Sequence, residues 1–185
     1  MHPAGVARLE RTLALVRREV PGHRFVLKED VAWMRGVARV HPDFRAFTVV
    51  IGRTVYLPRP REDFEPDRLA AVLLHELVHQ LDQARWGPLF YASYVLAAPT
   101  LRTVRAVWER RAYAVDLLLA RERGGEPAVH RLAERLAEVF SGPAYGWMWA
   151  PDARGFLAPA VAAVLAGELD TRQPYADILR AWRGP

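Results

Sequence analysis

The sequence predicts an α+β fold that is predominantly helical: a small β-sheet early in the chain, then a long helical remainder. Three observations predict it. Apolar residues recur at helical spacing at the N-terminus and through most of the chain beyond residue 66. β-Branched and aromatic residues gather in one stretch, 44–58, around Gly52. Glycine and proline breaks fall between these segments. The 185 residues, 51% hydrophobic and 25% charged, match the ordinary globular mix and argue against disorder.

The elements follow in order. Val6, Leu9, Leu13, Val16 and Val20 mark a helix over 4–20, which Pro21-Gly22-His23 ends. FVLKE (25–29) reads as a short strand, and VAWMRGVARV (31–40) is ambiguous. FRAFTVVIGRTVYLP (44–58) predicts two short strands with a turn at Gly52–Arg53. PRPREDFEPD (58–67) is a loop leading into a helix, with Pro66 in the first turn and acids where a helix N-terminus favours them. That helix runs to about Arg85 and stops at Gly87–Pro88. A second long helical region follows, broken or kinked at Pro99, and ends at GGEP (124–127). AVHRLAERLAEVF (128–140) is an amphipathic helix, 141–155 a turn-rich aromatic loop, and helices over about 157–168 and 174–183 close the chain. No linker is visible. Residues 1–185 read as one domain, with sub-lobes 1–87 and 88–185 as an option that leaves a cleft between them.

Composition narrows the chemistry. With no cysteine, disulfides, thiolate metal sites and cysteine nucleophiles are excluded, and any metal must be held by His, Asp or Glu. The net charge is +5, nearly all of the basic side is arginine, and Lys28 is the one lysine. The bases are dispersed along the chain, so nucleic acid is a weakly supported partner. The N-terminus lacks the apolar core of a signal peptide, and the apolar windows 88–101 and 156–167 are too short to span a membrane. The expectation is a soluble, cytoplasmic protein with no membrane span.

One motif carries chemistry. In AVLLHELVHQLDQ (71–83), His75 and His79 lie one turn apart on one helix face and can aim two imidazoles at one point. Glu76 is about 100° round the helix, outside the ligand set but within reach of a water held there. This is the logic of H-E-x-x-H: two ligands and a general base. Leu74, Leu77, Val78 and Leu81 form an apolar back that anchors the helix. Chance pairing of two core histidines is the plain alternative.

HELVHQLDQ, followed by WG and an aromatic-rich segment, resembles the zincin metallopeptidases, and within them the gluzincin-like branch and small bacterial domains of that type. The resemblance covers roughly 46–116. A metzincin would place glycine at position 82 and His or Asp at 85, where this chain has Asp82 and Arg85; a peptide deformylase needs a cysteine ligand. The resemblance implies a zincin-like fold, bound Zn2+, a peptide or protein substrate, and a third ligand on a later helix. Glu109, in AVWERRAYAVD (106–116), is the candidate, with Asp116 as its rival. Val104, Val107, Trp108, Val115 and Leu118 would form that helix's back, with Arg102, Arg105, Glu109, Tyr113 and Asp116 on the opposite side, which is solvated in the plain reading. The branch places an aspartate four residues after the ligand glutamate. Tyr113 stands there instead, so Asp116, or Asp82 from the first helix, could orient a histidine.

An oxyanion stabiliser is also needed, with Tyr113, Tyr145, Arg105 and His130 as candidates. His23 and His41 read as surface or loop residues, and Trp147 and Trp149 as core or cleft wall. Residues 46–57 would supply an edge strand that pairs with an extended substrate. The expected function is zinc-dependent peptide hydrolysis with Glu76 as general base. The rival reading is a non-catalytic, basic helical binding module whose metal site is structural or degenerate.

Overall fold

The computed structural model describes residues 3–95, 99–142, 145 and 148–184, with side chains except at 42, 95 and 99–103. It is predominantly helical with one small sheet, as expected of an α+β chain. Helix α1 (Pro3–Glu19) buries Leu13 and Val16 and packs across the central helix α3 (Pro66–Trp86). Strands β1 (Arg24–Leu27), β2 (Val49–Ile51) and β3 (Thr54–Leu57) form a sheet of order β1-β3-β2, parallel between β1 and β3 and antiparallel between β2 and β3. The β2–β3 turn is the expected one, with Gly52 at φ 56°, a region that L side chains avoid. The ambiguous 31–40 segment is helix α2 (Ala32–Val40), whose Met34 and Ala38, one turn apart, face inward.

Helix α3 starts where its sequence says. Pro66 occupies the first turn, and the Glu65 carboxylate accepts from the N–H groups of Asp67 (3.1 Å) and Arg68 (2.8 Å), satisfying two of the donors a helix start leaves open. Gly87 closes the helix by donating its N–H to Gln83 O. Helix α4 (Pro88–Val95) follows, then α5 (Pro99–Phe140), which breaks at Gly124–Gly125, where Gly125 takes φ 63°. The two arms of α5, 99–123 and 126–140, are the two helices that the GGEP stop anticipates.

The expected aromatic loop over 141–155 is shorter than its composition suggests. Helix α6 begins at Ala150 because Pro151 is suited to a first turn, and it runs to Leu165. Helix α7 (Tyr175–Arg183) packs back on α1 and α5. Trp149 is not core or cleft wall: it is 70% exposed at the α6 start. Trp147 lies outside the described residues, as does the Arg102 side chain.

One apolar core runs from Leu13 to Trp182. Phe140, fully buried, joins its layers: its ring meets Tyr113 (5.7 Å), Tyr145 (4.6 Å) and Phe156 (5.6 Å). Phe140→Ala should destabilise the fold by about 3–5 kcal/mol, read from the midpoint of denaturant unfolding. A loss below about 1 kcal/mol would mean the cluster is not close-packed. Among the described residues, no helix is long and apolar enough to cross a membrane.

Candidate metal centre

Helices α3 and α5 pack against each other and bring three side chains together. His75, His79 and Glu109 offer ligand atoms that all lie within 4.8 Å of one another. Glu109 Oε2 is 3.6 Å from His79 Nε2 and 3.9 Å from His75 Nε2. Both distances exceed a hydrogen bond. A tetrahedral ion with bonds of about 2.0–2.2 Å holds its ligand atoms about 3.3–3.6 Å apart. The His79–Glu109 separation meets that range and the His75–Glu109 separation lies slightly beyond it, so the group could hold a metal ion.

Burial fits the same reading. Glu109 is 5% exposed and His79 4%. A carboxylate is rarely buried unless it is paired or coordinates a metal. Glu109 has an organised environment: the Tyr94 hydroxyl donates to its Oε1. Burial opposes its ionisation, yet the His79 and His75 rings and Tyr94 outweigh that and hold its carboxyl at about 2. It is thus an anion across the working pH range, as a ligand must be.

Asp116 lies outside the His75–His79–Glu109 cluster and is hydrogen-bonded to one of its members. His75 Nδ1–H donates to Asp116 Oδ2 at 2.6 Å, which turns Nε2 toward Glu109 and His79. Tyr113 packs edge-on against His75 at 5.0 Å. His79 lacks an equivalent partner among the described residues, with its Nδ1 buried and unbonded, and Phe90 and Tyr94 flank its ring. Asp82 does not orient a histidine. Its buried carboxylate is taken by Arg111, at 2.9 and 3.1 Å, so it fastens α3 to α5 instead.

Glu76 sits beside the cluster without belonging to it, at 8% exposure. Burial pushes its carboxyl up, while His79 and His75 pull it down. A carboxylate poised this way is suited to taking and returning a proton. Two neighbours lie outside the sequence motif. Tyr94 is one of two tyrosines in the apolar run 88–101 and carries no signal of its own. Lys28 is 7% exposed, its Nζ donating to Phe44 O at 2.5 Å and lying 4.0 Å over the Phe44 ring. Burial lowers the Lys28 amine to about 8, with Glu76 drawing it back up. It is the one lysine in an arginine-rich chain.

The expected oxyanion candidates divide. Arg105 reaches the site, its guanidinium 4.9 Å from the Tyr94 ring and 5.2 Å from the Tyr145 ring. Tyr145 is buried, and its hydroxyl is pushed up by burial and then by the Glu109 carboxylate. Tyr113 is raised to about 12 by burial and then Glu109. His130 does not contribute: it is an exposed residue on the second arm of α5, 3.3 Å from Glu126. His41 is exposed, whereas His23 has both ring nitrogens buried and packs on Phe25. The β2 edge is not free along its length. Gln83 Nε2 donates to Val50 O (3.1 Å), the Gly52 N–H donates to Gln83 Oε1 (2.6 Å), and Gln80 Nε2 donates to Gly52 O (3.0 Å). Helix α3 thereby clamps the hairpin beside the histidines.

Comparisons with protein-family models, with curated proteins and with solved structures found no match.

The site makes a pH prediction for any divalent metal. Burial alone would depress His75, but Asp116, Glu76 and Glu109 together raise it to about 9. Below that pH the metal must displace a proton from His75. Apparent affinity should therefore rise by about tenfold per pH unit and level off near 9, measured by competition with a chromophoric chelator. Asp116→Asn removes the strongest pull on that proton. The plateau should then begin at lower pH, with plateau affinity reduced by about 10–100-fold.

Proposed function

We propose that this chain is a zincin-like, zinc-dependent metallopeptidase. The observation that carries the reading is the convergence of His75 Nε2, His79 Nε2 and Glu109 Oε2 at ion-coordinating separations, with Glu76 beside them and outside the set. Two imidazoles and one carboxylate, with no sulfur, form a three-ligand set typical of hydrolytic zinc. When bound, zinc would act as a Lewis acid, acidifying a water and polarising the substrate carbonyl. The protein's own residues do the rest. Asp116 fixes the His75 tautomer. Tyr94 holds one Glu109 oxygen and leaves the other toward the histidines. Glu76 takes a proton from the attacking water at its carboxylate and returns it to the leaving amine. Arg105, between Tyr94 and Tyr145, is the cation placed to favour developing negative charge.

The test joins metal content to turnover. Elemental analysis should find one zinc per chain, and a peptide library should be cleaved in a way that a chelator stops and added zinc restores. A zinc-loaded protein that cleaves nothing would sink the peptidase. One observation favours a second reading: His79 and Glu109 are both buried, as structural metal ligands usually are. A structural ion in a binding module would show itself by unfolding on chelation.

A further inference from the structure

A cavity of about 600 Å³ opens between the two arms of α5; none of His75, Glu76, His79 or Glu109 lines it, and it meets the candidate metal centre through Tyr113 and Asp116. Tyr113 and Asp116, both in contact with His75, line its inner end. Its apolar floor includes Leu132 and Leu136. Its remaining charge is of one sign: Arg123, Arg131 and Arg135. The single lining carboxylate, Asp116, is engaged with His75.

These arginines are not used by the fold in the way that others are. Arg121, Arg154 and Arg183 each pair with a carboxylate. Glu134, the acid nearest in sequence to Arg131 and Arg135, is drawn away to Arg154 at 2.9 Å. Among the described residues, Arg131 and Arg135 make no ion pair. They stand one turn apart on one helix face, where like charges repel. Arg123 lies across the Gly124–Gly125 break, with its guanidinium over Trp182. Three guanidinium groups above an apolar floor suit a ligand that carries carboxylates on an otherwise hydrophobic body, since the planar fork binds carboxylate in a bidentate manner.

We propose that this cavity is the substrate-recognition subsite, and that it selects peptides bearing aspartate or glutamate near the cleaved bond. The inference rests on the metallopeptidase reading for the word substrate, but the binding it asserts can be measured without turnover. The Gly124–Gly125 break is what makes the subsite. It folds the second arm back so that Arg131 and Arg135 face the same space as Arg123, alongside the His75–Asp116 pair.

The experiment is fluorescence anisotropy with a dye-labelled peptide rich in Asp and Glu, its Asn/Gln twin, and a single-stranded oligonucleotide of equal charge. The protein is the zinc-loaded full chain carrying Glu76→Gln, so that nothing is cleaved. The acidic peptide should bind at least about tenfold tighter than its neutral twin at low salt, and the preference should shrink as salt is raised. Arg131→Gln with Arg135→Gln should erase the preference. Both positions are exposed, so folding should survive, with circular dichroism as the check. Equal binding of the two peptides, or a preference that persists in the double variant, would overturn the proposal. So would tighter binding of the oligonucleotide, which would make the wall a nucleic-acid surface. Arginine-dependent binding of the acidic peptide supports the subsite even if the wild type cleaves nothing, in which case only the hydrolase reading falls.

Discussion

Glu76→Gln is expected to lower peptide hydrolysis by about 10²–10⁴-fold, the usual worth of a positioned general base, while the metal stays bound at one per chain. The amide is nearly isosteric with the carboxylate, so the buried pocket is preserved. It cannot accept the proton of the attacking water. Glu76 lies outside the cluster formed by His75, His79 and Glu109, so its loss should leave coordination intact. The paired measurement matters: kcat from a cleaved reporter peptide and zinc by elemental analysis on the same sample. A fall in activity together with loss of metal would place Glu76 among the ligands. Unchanged activity with metal retained would remove it from the chemistry.

Glu109→Gln should instead abolish stable metal binding. The loss should exceed the roughly 10–100-fold cost of removing an orienting partner such as Asp116, because a negative ligand becomes a neutral one with weak affinity for a cation. His79→Ala is the control and should behave alike. The fold should persist in Glu109→Gln, since α5 is held by fully buried Val115, Leu117 and Leu118 and by the Asp82–Arg111 pair. Chelator competition gives the affinity, and thermal unfolding without metal separates a lost ligand from a lost fold. Full metal affinity in Glu109→Gln would refute the three-ligand site. The burial of Glu109 beside Tyr94 would then need another explanation.

His75, Glu76 and His79 were legible because helical geometry fixes relative position inside one element: the 3.6-residue period alone puts two imidazoles on one face. The Gly52–Arg53 turn, the Pro66 start, the Gly87 stop and the GGEP break were legible for the same reason, since each is a local backbone preference. Segment 31–40 was ambiguous, because its short apolar pattern satisfies two periods until burial of Met34 and Ala38 selects the helix. Over 141–155 the glycine and aromatic residues predict a longer loop than forms, because they mask the helix-starting signal of Pro151.

The sequence by itself determined a helix able to present two imidazoles and a nearby carboxylate, the breaks around it, and an α+β composition with no thiol ligand. Only the tertiary structure decided what meets that helix. It placed Glu109 against both histidines, made Asp116 the partner of His75 across 41 positions, gave Asp82 to Arg111, and brought Lys28 and Tyr94 to the site. It also left His130 in solvent and folded α5 back at Gly125 to form an arginine-lined cavity. The physical reason is that contacts between distant elements depend on how whole apolar faces pack into one core. Helical period says which side chains share a face, and packing says which face they meet.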